Sequence, residues 1–229
     1  SLNPIVRIGK QITEATLINS DKLKIKYNEL ISKELVAYKN AIAKRNVLIK
    51  TENEKVNSIE REIAKSTEIV EDAIKDRKAL IKETKKQINA ICSSYKKGKV
   101  SEFVKKLITP EFVAYNPNVE VALNNVDTQL NTNFDDKAAL SELISALNNE
   151  LLVAYQGYEA HLLDEIEEIK ADKTIANLKD SLKPVKSEVA ANLKNIKQQY
   201  KAICAPLKLE LNASKKVAKK EVQAYKVKI

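Results

Sequence analysis

Between Ile42 and Ile88 a β-branched residue returns every seventh position: Ile42, Ile49, Val56, Ile63 and Val70, then, after a four-residue shift, Ile74, Ile81 and Ile88. A sustained seven-residue period with one four-residue stutter predicts a long helix packed in coiled-coil fashion. Neither Gly nor Pro occurs from Asp21 to Lys97, and Asn19 or Ser20 offers an N-cap for a helix starting near Asp21. The companion positions Arg45, Glu52 and Ser66 are polar. Such a seam suits a helical hairpin or a three- or four-helix bundle better than a two-stranded zipper. A helix from Tyr38 to Cys92 would run about 80 Å at 1.5 Å per residue, which predicts an elongated molecule. Ahead of it, Pro4 and Gly9 interrupt Ile5, Val6, Ile8 and Ile12, a pattern that fits an arm, a strand or a short first helix.

Punctuation gathers after Cys92. Gly98, inside Lys96-Lys97-Gly98-Lys99, ends the long helix with a basic last turn. Val100, Phe103, Val104 and Leu107 predict a short helix; Thr109 then caps, and Pro110 opens, another. Asn116-Pro117-Asn118 turns a corner. Val119, Leu123, Val126 and Leu130 line one face of a further helix, and residues 131–136 form a polar loop. Asp135 or Asp136 caps the next helix, through Leu140, Leu143 and Leu147. Leu162, Ile166 and Ile169 follow as one stripe. From Leu178 through Leu182, Val185, Val189, Leu193, Ile196, Tyr200, Ile203 and Leu207 the spacing stays at three and four. Pro184 is expected to kink that helix or begin a new one.

The order Ala37-Tyr38, Ala90-Ile91-Cys92, Ala114-Tyr115 recurs as Ala154-Tyr155, Ala202-Ile203-Cys204, Ala224-Tyr225. From tyrosine to tyrosine the spans are 77 and 70 residues, a difference of about two helical turns. The recurrence predicts an all-α fold: an elongated helical bundle of long coiled-coil-like hairpins with an internal duplication. The expected division is an N-terminal arm over 1–20, a first helical repeat over 21–115, connecting helices and loop over 116–149, and a second repeat over 150–229. One continuous elongated domain fits the same pattern. With Pro206 just after Cys204, both copies are expected to bend shortly after their cysteine.

Composition agrees with long solvent-washed helices rather than a compact α/β enzyme: 3 glycines, 5 prolines, no tryptophan and 31% charged residues. No run of about 18 apolar residues exists, so no membrane span is expected. No basic-then-apolar block opens the chain. A soluble protein of the cytoplasm or of a virion is expected, with Ser1 following a removed initiator methionine. The two cysteines do not make a disulfide framework. Cys92 and Cys204 read as small buried residues at one packing site in each copy. The alternative is a bridge between the halves, which needs Cα atoms within about 7 Å.

Net charge is +9, and its distribution changes the picture. Residues 1–110 carry net +10, residues 111–172 net −11 and residues 173–229 net +10. Two lysine clusters follow the cysteines: Lys96, Lys97, Lys99, Lys105 and Lys106, then Lys215, Lys216, Lys219 and Lys220. These are candidate contacts for a polyanion or a partner. Asp164, Glu165, Glu167 and Glu168 are candidate acidic partner contacts. Segregated charge can simply solvate long helices, steer association or hold phosphate backbones. Arginine, which most often reads base edges, is scarce, and the tyrosines read as core positions rather than stacking platforms. Lipid contact lacks an aromatic anchor, so a membrane partner is not expected.

Catalytic chemistry has little to stand on. His161 is the sole histidine and fits an ordinary exposed position. Three isolated glycines build no phosphate loop. Glu165 and Glu168 share a helix face, yet a di-metal carboxylate bundle wants a Glu-x-x-His pattern, and two thiols with no His beside them cannot complete a tetrahedral set. No catalytic, cofactor-binding or metal residue is expected. The expectation is a non-enzymatic structural or assembly protein that presents long helical faces and segregated charge to protein partners or to itself. The alternative is a basic helical protein that binds or packages nucleic acid without sequence preference, as a viral or phage component would.

Overall fold

The computed structural model describes the backbone of residues 4–228 and the side chains of residues 20–225. Its elements are α1 (Pro4–Lys96), α2 (Phe103–Leu107), α3 (Pro110–Val113), α4 (Asn118–Thr132), α5 (Lys137–Ala171) and α6 (Thr174–Lys228). No strand occurs among the described residues, and the fold is an all-α helical bundle. The chain divides into two compact units: residues 1–61 with 179–229, and residues 62–178.

The expected start near Asp21 is corrected. α1 already runs from Pro4, through Gly9 and past Asn19 and Ser20, so the arm expected over 1–20 is helical from Pro4 onward. Proline is tolerated at the first helical position because its missing N–H would have no intrahelical partner there. Residues 1–3, and the side chains of residues 4–19, lie outside the described residues.

In the first unit α1 and α6 pair antiparallel, as a series of side-chain meetings along them records. Lys26 meets Tyr225, Leu30 and Glu34 meet Ser214, Glu52 meets Asn192, and Glu60 meets Lys186. Neither proline ends the helix: α6 continues through both Pro184 and Pro206, so no new helix begins at either. Both prolines are exposed, so the carbonyls they deprive of a donor can turn to water. Buried Leu182 and Val189 flank one, and buried Leu211 follows the other, holding the helix to its partner on either side. With α6 unbroken after Cys204, that segment does not fold back as a hairpin of its own. Tyr38 instead shares a groove with Cys204 in the first unit, and Tyr155 shares a core with Cys92 in the second. Each unit thus draws on both expected repeats.

The second unit has the larger core. Ile88, Ile91 and Tyr95 of α1 pack with Leu107 and Phe112, with Val119 and Val126 of α4, and with Leu140, Ile144, Leu147 and Leu151 of α5. Local signals place these elements as expected. Gly98, at φ +75°, ends α1. Its N–H bonds to the Tyr95 carbonyl at 3.0 Å while Lys99 N–H reaches back to Ser94 at 2.9 Å, a Schellman closure. Thr109 Oγ1 caps α3 by accepting from Phe112 N–H at 3.3 Å, and Asp136 caps α5 by accepting from Ala139 N–H at 3.1 Å. The corner at Asn116 is buried and tied to α5: its amide donates to the Glu150 carbonyl at 2.9 Å and to the Glu150 carboxylate at 2.6 Å.

Candidate functional site

The seven-residue seam is unevenly covered. Ile88 is fully buried in the second unit, where α4 and α5 close over it. In the first unit Ile42, Ile49 and Val56 remain half-buried, and so do Leu193, Ile196, Tyr200 and Leu207 opposite. Among the described residues, few are shut away there: Ile31, Leu211 and Ala218 form one small cluster, with Ala41, Leu182 and Val189 buried apart from it. Several aliphatic side chains on the same two helices point to solvent, among them Val36, Val47, Val217 and Leu209, the last 70% exposed.

Midway along this pair lies a groove of about 640 Å³, within the ~300–1,000 Å³ of ordinary ligand clefts. Tyr38, Arg45 and Ile49 come from one face of α1; Lys197, Tyr200, Lys201, Cys204 and Lys208 come from one face of α6. No carboxylate is among the residues that line it. The Arg45 Nε is buried without a hydrogen-bond partner, and its Nη2 reaches only Asn46 Oδ1 at 3.4 Å. Among the described residues none of Arg45, Lys197, Lys201 and Lys208 has an ion pair. The nearest acid along α1, Glu52, is already engaged: Lys55 at 2.8 Å and Asn192 at 3.1 Å hold its carboxyl below the usual value. A shallower groove along α6 continues from Lys201 through Lys197 to Lys194.

The lysine clusters singled out in the sequence occupy different settings. Lys96, Lys97, Lys99, Lys105 and Lys106 are exposed around the end of α1 and on α2, in the second unit. Lys216, Lys219 and Lys220 are exposed, and Lys215 half-buried, on unbroken α6 in the first. Asp164, Glu167 and Glu168 are exposed on α5. Glu165 is not a freely solvated member of that run. It accepts from Arg77 Nε at 2.8 Å across to α1 and sits 3.0 Å from His161 Nε2. His161 is exposed, as expected, with its ring beside Tyr115.

The tyrosines divide. Tyr95 and Tyr155 are core residues, whereas Tyr38 and Tyr200 are half-buried and edge the basic groove. The cysteines divide likewise. Cys92 is buried, with its thiol donating to Asn148 Oδ1 at 3.7 Å and burial raising its pKa against the opposing pull of Lys96. Cys204 is half-buried on the groove, and both thiols are free.

Sequence reasoning passed over Lys197, Lys201 and Lys208 and treated Arg45 as a polar companion of the seam. Spacings of four and seven put the three lysines on one face of a helix, a signal present in the chain. Their meeting with Arg45 and Tyr38 depends on the register between α1 and α6. Set beside known protein families, curated proteins and solved structures, the chain matches none of them.

Proposed function

We propose that this chain is a non-enzymatic helical assembly protein whose first unit is an incomplete bundle, completed by a further helix from a partner or a second copy. The observation that carries the reading is the half-buried seam: Ile42, Ile49 and Val56 facing Leu193, Ile196 and Leu207, with none of them fully covered. A core-facing helix presents an apolar stripe at least ~100° wide, and two helices alone cover only part of each stripe. A third or fourth helix closes such a seam. The exposed Val36, Val47, Leu209 and Val217 widen the apolar surface available on the same pair.

Charge supports association too. The first unit holds 25 basic and 11 acidic side chains, net +14, and the second holds 15 and 20, net −5. Opposite fields of this kind steer encounter and register more than they add affinity. Sedimentation velocity across protein concentration tests the reading. A concentration-dependent step to larger species is expected, lost on combining Val47→Glu with Leu209→Glu while helicity holds. A monomer at every concentration, together with a sharp melting transition of the α1–α6 pair, would overturn it, because a pair stable by itself needs no further helix.

A further inference from the structure

The basic groove of the first unit has features that apolar assembly does not use. Four cations converge with no carboxylate among the lining residues, and one of them has a buried guanidinium nitrogen lacking any partner. A buried donor left unmade is costly, and a turn of the Arg45 side chain toward an acceptor in the groove would satisfy it. Three of the four cations are lysines, compact point charges that hold phosphate without the fork geometry that reads base edges. Tyr38 and Tyr200 line the groove with them, one from each helix. A positive groove flanked by aromatic rings is the arrangement by which proteins hold single strands without sequence preference: lysines follow the backbone while bases stack on rings.

We propose that this groove binds single-stranded nucleic acid through Arg45, Lys197, Lys201 and Lys208, with Tyr38 and Tyr200 offering ring faces to the bases. The assignment goes beyond assembly and does not depend on it. The competing occupant is an acidic helix such as that of a second copy bearing Asp164, Glu167 and Glu168. The two tyrosines favour the strand, because rings lining a positive groove can stack bases, whereas an acidic helix would engage the cations alone. An extended strand also places a charge at each nucleotide.

Fluorescence anisotropy of a labelled homopolymeric single-stranded DNA with the full chain tests the proposal. Binding is expected at low salt, with log K falling against log salt at a slope of about −3, the value for roughly four released counterions on a single strand. Lys197→Glu combined with Lys201→Glu and Lys208→Glu should weaken binding at least about tenfold, since every lysine replaced takes away the counterion release it drove. The same charge change at Lys216, Lys219 and Lys220, elsewhere on α6, should weaken it less. Tyr38→Leu with Tyr200→Leu, which keep apolar bulk, should also loosen binding. Cys204 supplies a local readout: bound DNA should slow its modification by a thiol reagent, while buried Cys92 reacts slowly throughout.

Any of four outcomes overturns the assignment. The first is no binding at low salt; the second is equal loss in the two lysine variants. The third is inorganic polyphosphate binding as tightly as DNA with no effect of the tyrosine changes. The fourth is a groove variant that loses self-association but keeps DNA. Failure here leaves the sedimentation result standing, and the reverse also holds.

Discussion

The hydroxyl of Tyr95 donates to the Asp127 carboxylate at 3.0 Å, joining α1 to α4 with the tyrosine ring wholly buried. Burial, then the hydrogen bond to that carboxylate, pushes the Tyr95 pKa far above its ordinary value. Burial and a hydrogen bond to Glu159 push Tyr155 up to about 12. With the native pKa raised, the folded state keeps these protons after the unfolded chain has begun to lose them. Stability is therefore complete below about pH 10, the unfolded tyrosine value, and falls as pH rises from there, by up to ~1.4 kcal/mol per pH unit for each tyrosine. Urea unfolding on either side of that pH should show the fall. Tyr95→Phe and Tyr155→Phe should each flatten it, and an unchanged slope in both variants would refute the assignment.

Asn116 holds the corner before α4 by filling three hydrogen bonds at once. Besides its two donations to Glu150, its Oδ1 accepts from Asn118 N–H at 3.2 Å. Asn116→Ala strands the buried partners and should cost about 2 kcal/mol. Asn116→Asp sets a second carboxylate against Glu150 and should cost more near neutral pH, with partial recovery in acid. Chemical denaturation at two pH values distinguishes the variants.

Gly98 meets two constraints. Its φ of +75° is the left-handed region, and a Cβ there would lie 2.5 Å from the Phe134 ring. Gly98→Ala should lose about 1–2 kcal/mol from the backbone penalty alone, and more if the ring cannot shift. Gly98→Asn separates the causes: asparagine tolerates the left-handed conformation but brings the same Cβ. If both variants lose equally in thermal melts, the ring contact dominates.

Pro206 sits inside α6 on an exposed face, where it removes the N–H that would bond the Ala202 carbonyl. The helix is already continuous, so Pro206→Ala restores that bond without rearranging the pair. A gain of about 1–3 kcal/mol is expected, since proline is about 3 kcal/mol poorer than alanine in a helix interior. Melting temperature and slower amide exchange around Cys204 would record it. A loss of stability would mean that α6 needs its curvature to stay on α1.

The features legible in the chain are those whose physics closes within a few residues. Thr109 with Pro110, Asp136 before α5, and Gly98 among its lysines each satisfy or end a helix locally, and each is found where expected. The seven-residue return of isoleucine and valine likewise identified α1 as a long helix. Proline and glycine were weaker guides. Gly9, Pro184 and Pro206 all lie within helices: a glycine costs a helix only about 1 kcal/mol, and the bond each proline breaks is small against the packing of α6 on α1.

By itself the sequence determined an all-helical chain, the ends of its short helices, and the segregation of its charge, since propensity, capping and heptad period act along the backbone. Tertiary structure decided which stripes face each other, and with that which residues meet. Antiparallel register sets Arg45 and Tyr38 against Lys197, Lys201 and Cys204; the packing of α5 on α1 ties Glu165 to Arg77; and one stretch of seam is left half-covered while another is closed. Pairing is chosen by the summed burial of whole faces, a quantity no local pattern contains.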